Sequence, residues 1–139
     1  MYTYNPVSLW NEGTYSVNNN PNSVHSGFAS CSAHEGTQMM VLNGSVSLAR
    51  IWCQTVNVTP NTNYVFWAWA TSVNASNPAR LQFSINNGLI GQQFNLVGTT
   101  CLWQQFYAVW NSGNNTTADI CIINQNTQPN GNDFAIDDL

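Results

Sequence analysis

The stretch Ala79-Arg-Leu-Gln-Phe-Ser-Ile-Asn-Asn-Gly-Leu89 decides the fold class. Leu81, Phe83 and Ile85 alternate with Arg80, Gln82 and Ser84, a period of two. That period puts the apolar side chains on one face of a β-strand and the polar ones on the other. The run ends in Asn86-Asn87-Gly88, residues that accept the positive φ angles of a type I′ hairpin turn.

The same pattern continues outward in both directions. Strands are predicted at Thr14–Val17, Gln38–Leu42, Ala49–Val58, Asn63–Val73, Gln104–Trp110, Ala118–Asn124 and Asp133–Leu139. Turn signals separate them at Asn43-Gly44, Thr59-Pro60-Asn61, Asn111-Ser112-Gly113 and Pro129-Asn130-Gly131-Asn132. No segment carries helical periodicity. About eight short strands with turns between them predict an all-β, two-sheet antiparallel sandwich of jelly-roll type. Asn63–Val73 bears aromatics on both faces and is expected inside a sheet. With no repeat and no linker, residues 1–139 read as one domain, and the Asn-rich stretch Asn18–Asn22 reads as a surface loop.

Charge narrows the function classes. The chain has no lysine, and its cations are Arg50 and Arg80; its acids are Glu12, Glu35, Asp119, Asp133, Asp137 and Asp138. So few cations cannot neutralise a row of phosphates, which argues against nucleic acid and against anionic membrane surfaces. Six Trp, six Phe and five Tyr supply enough apolar surface to exclude a disordered chain. Neutral polar residues must then provide solubility, a balance that points to an extracellular module.

Cys31, Cys53, Cys101 and Cys121 form an even set without a CxxC pair, and His25 and His34 are not at zinc-finger spacing. Two disulfides in an oxidising compartment are expected, with four buried thiols as the other reading. Of the three possible pairings, Cys31–Cys53 with Cys101–Cys121 is favoured. The longest apolar run, Tyr64–Ala70, is too short to span a bilayer. No apolar leader follows Met1, so the start is expected to reflect a trimmed chain or an edited mature start. The end at Leu139, in or just after a strand, suggests a module of something larger or a chain completed by neighbours.

Several segments resemble one known group. Asp133-Phe-Ala-Ile-Asp-Asp-Leu139 looks like the closing strand of the galactose-binding-like jelly rolls, which include carbohydrate-binding modules and MAM-type adhesion domains. Cys31-Ser-Ala-His34-Glu-Gly36 through Met39, Met40 and Asn43-Gly44-Ser45 is similar to another segment of those domains. Trp52-Cys-Gln-Thr-Val56, Pro60 to Tyr64 leading into Trp69, and Leu81 to Asn86 extend the likeness over nearly the whole chain. It is closest in character to modules of large secreted or surface proteins of gliding, Bacteroidetes-type bacteria.

The resemblance implies a structural Ca²⁺ held by an acid near each end of the chain and by loop carbonyls, a set of hard oxygens that suits this ion. The role is carried to Asp137, with Glu12 or Glu35 as the second carboxylate. Asp138 is the neighbouring candidate, although in a strand only one of the two acids can look inward. The group's usual Asp before the His is Ala33 here, which puts the site in doubt unless Glu35 substitutes.

The resemblance also implies glycan binding or adhesion, and the residues suit it. Sugar rings stack their C–H faces on aromatics while amides bond the hydroxyls. In Asn63–Val73 one face carries Phe66, Ala68 and Ala70, and the other carries Val65, Trp67 and Trp69. Trp67 and Trp69 are therefore the candidate platform. Trp10, Trp103 and Trp110, near turns, are further candidates, with burial in the core as the competing role of each.

Catalysis is not expected. His25 and His34 lack a motif partner, no GxSxG occurs, and Asp119 has no identifiable second carboxylate. Asn-X-Ser/Thr sequons at Asn43, Asn57, Asn74, Asn114 and Asn115 are unremarkable in so Asn-rich a chain. The rival function is a structural unit of a surface fibre or adhesin, self-associating through strand edges or through Met1–Trp10 acting as an arm.

Overall fold

A computed structural model describes residues 1–139. It contains ten strands and one 3₁₀ turn at Pro21–Ser23. The strands are β1 (Thr3–Tyr4), β2 (Thr14–Asn18), β3 (Met39–Asn43), β4 (Ala49–Asn57), β5 (Asn63–Ser72), β6 (Arg80–Ile85), β7 (Gly88–Asn95), β8 (Gln104–Asn111), β9 (Thr117–Asn124) and β10 (Phe134–Asp137). One sheet runs β1-β2-β3-β10-β5-β8 and the other β4-β9-β6-β7. All pairings are antiparallel except β1 with β2. The fold is the two-sheet sandwich that the alternation predicts. No helix is long and apolar enough to cross a membrane.

The opening hairpin forms as expected. Asn86 and Asn87 take φ of 50° and 70°, and β6 pairs with β7 through Ile85 and Gly88. The strand after that turn, β7, is one of the two beyond the predicted eight. Its alternation is broken at Gly91, where the β6–β7 register slips and φ is +65°. A Cβ there would lie 3.0 Å from the Cβ of Ala108, so the absent side chain lets β7 close on β8.

The other addition is β1. Met1–Trp10 is not a free arm: Thr3 pairs with Thr14 and Tyr4 with Tyr15, Tyr2 enters the core, and Leu9 is fully buried. The closing strand is shorter than the predicted Asp133–Leu139, because Asp138 turns to φ 50° and leaves the extended conformation.

Two apolar clusters result. The larger lies between the sheets and includes Leu42, Ala68, Ala70, Leu81, Phe83, Phe106, Ile122, Phe134 and Ile136. The smaller lies on the outer side of the six-stranded sheet, where Val41, Val73 and Ala135 are covered by Leu9, Val24, Phe28 and Cys31. The chain between β2 and β3 thus folds over half of that outer face. It is tied down by Ala29 N–H donating to Val73 O at 2.8 Å and by a Cys31–Cys101 disulfide.

The second disulfide is Cys53–Cys121, so the favoured pairing is corrected on both bonds. Cys53 and Cys121 stand directly opposite each other in β4 and β9, with Cα atoms 4.1 Å apart. That is the close spacing of a non-hydrogen-bonded antiparallel pair. Neither cysteine can then reach Cys31, which sits on the far side of the other sheet.

Candidate functional site

The cover stops partway across the six-stranded sheet. Beyond it β5 and β8 present their outward residues openly, in facing pairs: Val65 with Val109, Trp67 with Tyr107, and Trp69 with Gln105. Trp67 is 52% and Tyr107 68% exposed, and Val65 and Val109 are more than half exposed. Four exposed apolar side chains at adjacent ladder positions form one contiguous patch, unusual on a soluble domain. The inward residues of the same strands, Phe66, Ala68, Phe106 and Ala108, pack on the core side. The period-two reading of β5 therefore holds on both faces.

Trp69 marks the border of the cover. His34 stacks on its indole, ring centroids 3.9 Å apart and planes 16° from parallel. His34 is held in turn by Asp138, whose Oδ2 lies 2.6 Å from Nδ1. Asp137, opposite Trp69 on β10, accepts from the backbone N–H of His34 at 2.9 Å and of Glu35 at 3.3 Å. On the far side of Trp67, where β10 has ended, an apolar cleft of about 210 Å³ opens between Trp52, Phe66 and Leu139.

The remaining tryptophans play other parts. Trp103 donates its Nε1–H to Ser32 O at 3.1 Å and packs under the cover. Trp110 points inward and meets Tyr64 and Phe66. Trp10 is 65% exposed but packs at a tilt against His25 beside Asp133, at the other end of β10 from Asp137. Of the five expected ligand-binding tryptophans, the structure sets Trp67 on the open face with Trp69 beside it at the edge of the cover, under His34.

The expected calcium ligands separate as well. Asp137, Asp138 and Glu35 gather around His34, whereas Glu12 lines a cavity of about 330 Å³ with Asn43, Asn74 and Asp133. The two groups lie at opposite ends of β10, about 13 Å apart at the rise of an extended strand. Asp137 and Glu12 therefore cannot share an ion, and no three His, Cys, Asp or Glu side chains converge anywhere.

Asp133 is the acid that sequence reasoning passed over. It is buried, and burial pushes its carboxyl up to about 6 against the hydrogen bonds from Gly44 N–H at 2.9 Å and Asn74 Nδ2 at 3.2 Å; the nearby Glu12 adds to the rise. Tyr107 was also missed, though the alternation of Gln105, Tyr107 and Val109 with Phe106, Ala108 and Trp110 carried the signal. His34 left no such trace, because its partners come from residues 69 and 138.

No protein-family model matches the sequence, and no curated protein matches it. Among solved structures, the fold is similar to the C-terminal domain of EclA, described as a sugar-binding protein, at 15% identity with a TM-score of 0.57. That match covers 64% of each chain, so this chain spans less than two thirds of that domain. It is also similar to the CBM22-1 xylan-binding domain of Paenibacillus barcinonensis Xyn10C, at 14% identity and TM-score 0.55 over 76% of this chain and 72% of that one. A third is a family 16 carbohydrate-binding module, at 18% identity and TM-score 0.50 over 76% and 77%. The fold is thus that of jelly-roll carbohydrate-binding modules.

Proposed function

We propose that this chain is a non-catalytic extracellular module that binds a carbohydrate on the open half of the six-stranded sheet, with Trp67 and Tyr107 as its stacking platform and Trp69, capped by His34, at its border. The observation that carries this reading is the Trp67–Tyr107 pair, two aromatic rings on adjacent strands, both more than half exposed on a face otherwise covered by the chain's own loop. Such rings offer flat apolar surface to sugar C–H faces at little entropic cost. Likeness to carbohydrate-binding folds supports the assignment, and two disulfides support an oxidising compartment. A large surface protein of the Bacteroidetes type, in which the module contributes to adhesion, is the setting this reading favours.

Affinity electrophoresis against soluble neutral polysaccharides, xylan among them, tests the proposal. Retardation by at least one, lost in Trp67→Ala, is expected. Unretarded migration on all of them, or retardation that Trp67→Ala leaves intact, overturns it.

A structural Ca²⁺ belongs to the same proposal, at a different place from the one the sequence suggested. Asp137 lies at the far end of β10 from Glu12, whereas Asp133 and Glu12 line one cavity. Asp133 and Glu12, with the amide oxygen of Asn43, offer the hard oxygen donors this ion prefers, and Asp133 is a buried carboxylate with no cation beside it. When bound, the ion would neutralise that pair and pin the segment after β1 to the start of β10.

A further inference from the structure

The platform reaches the edge of its sheet at β8, and the surface does not stop there. β8 and β7 are the terminal strands of their respective sheets, and they run side by side on one flank of the sandwich. Between them lies a groove of about 390 Å³ walled by Gln92, Gln93, Gln105, Tyr107 and Val109, with Gly91 at the point of closest approach. Tyr107 and Val109 belong to both surfaces, so groove and platform are continuous. The side chains of Gln92, Gln105 and Tyr107 make no hydrogen bond within the protein, and all three are exposed. Each amide carries two donors and an acceptor, the complement of a sugar hydroxyl pair.

Neither surface carries a cation. Arg50 bonds Asn87 on the other sheet, and Arg80 lines an adjoining hollow, on the far side of Gln93 from the groove, with Asn77 and Gln128. A carboxylate or sulfate on the ligand would find nothing to offset its desolvation. The path from Trp67 across β8 to β7 crosses two close inter-strand steps, since β7 closes on β8 at Gly91, roughly 10 Å. That is too long for a single sugar ring.

We propose that the ligand is a neutral, unbranched polysaccharide several sugars long, which lies across β8 with one part stacked on Trp67 and Tyr107 and the next in the groove, bonded by Gln92 and Gln105. This rests on the carbohydrate-binding reading and adds chain length and charge to it. Titration calorimetry with cello-, xylo- and mannohexaose, their disaccharides, and polygalacturonate tests it. At least one neutral hexasaccharide is expected to bind ten-fold or more tighter than its disaccharide, with polygalacturonate unbound. Gln92→Ala and Gln105→Ala should each reduce the advantage of length about three- to ten-fold, the effect of one hydrogen bond. Trp67-dependent binding without a length advantage, an advantage that survives both Gln variants, or preference for polygalacturonate overturns this inference and leaves the platform standing. Absence of any binding removes both.

Discussion

His34 lies flat on Trp69 at 3.9 Å and is fixed there by Asp138, so the loop that covers half the sheet ends by capping an aromatic ring of the open half. His34→Ala removes the cap. The ring stack and one hydrogen bond are lost, a cost of about 1–2 kcal/mol in unfolding free energy. The uncovered face of Trp69 should become available to solvent and ligand. Increased acrylamide quenching of tryptophan fluorescence, with stronger retention on whichever polysaccharide the parent binds, is the expected pair of results. Unchanged quenching would show that the ring is not what shields Trp69.

Asp133 gives the fold a pH dependence opposite to that of a salt-bridged acid. Its carboxyl holds a proton up to about pH 6 in the folded state, against 3.8 for the ordinary carboxyl of the unfolded chain. Between those values the folded state binds more protons, so stability falls as pH rises through pH 4 to 6. The loss, complete above pH 6, is of the order of 3 kcal/mol. Urea unfolding in chelator should show this decline in the parent and not in Asp133→Asn, which should be the more stable protein at pH 7. Millimolar CaCl₂ should recover the lost stability at pH 7 in the parent alone. A flat parental profile would remove the buried charge from the account, and calcium stabilising both proteins equally would remove Asp133 from the ion site.

The sandwich was legible because alternation is a local signal: each of Leu81, Phe83 and Ile85 declares its face by its neighbours. The faces of Trp67 and Phe66 were readable for the same reason. β7 was hidden because Gly91 interrupts that alternation, and β1 because two residues carry no period. What the sequence could not show was which outer face stays bare. That depends on where the β2–β3 segment lands, and its anchors, Ala29 on Val73 and Cys31 on Cys101, are long-range. The acids misled for a similar reason, since Glu12 and Asp137 are both near chain ends yet reach β10 from opposite ends.

The disulfide pattern separates a fastening of the cover from a fastening of the core. Each bond closes a loop of about the same span, 70 and 68 residues in separation, for which constraint of the unfolded chain predicts about 4 kcal/mol. Cys31→Ser/Cys101→Ser should lower stability and also loosen the cover, exposing Leu9, Val24 and Phe28 to the dye ANS. Cys53→Ser/Cys121→Ser should lower stability comparably without dye binding, because β4 and β9 remain paired along their length. Non-reducing peptide mapping of the native protein should recover the two bonds as paired here; a Cys31–Cys53 peptide would refute the placement of the cover.

Trp67 and Trp110 are both tryptophans in neighbouring strands, and only Trp110 serves the core. Trp110 faces inward and is partly buried against Tyr64 and Phe66, with ring centroids 6.3 and 6.5 Å away. Trp110→Ala leaves that end of the core unfilled and should cost about 2–3 kcal/mol, below the range for a fully buried Trp. Trp67 touches solvent over half its surface, so Trp67→Ala should change stability by about 0.5 kcal/mol or less. Chemical unfolding and polysaccharide retention measured on both variants should therefore separate: Trp110→Ala loses stability at temperatures where it still binds, and Trp67→Ala keeps its stability and loses binding. Matching losses of stability in the two would mean that Trp67 is structural and the platform is not a binding face.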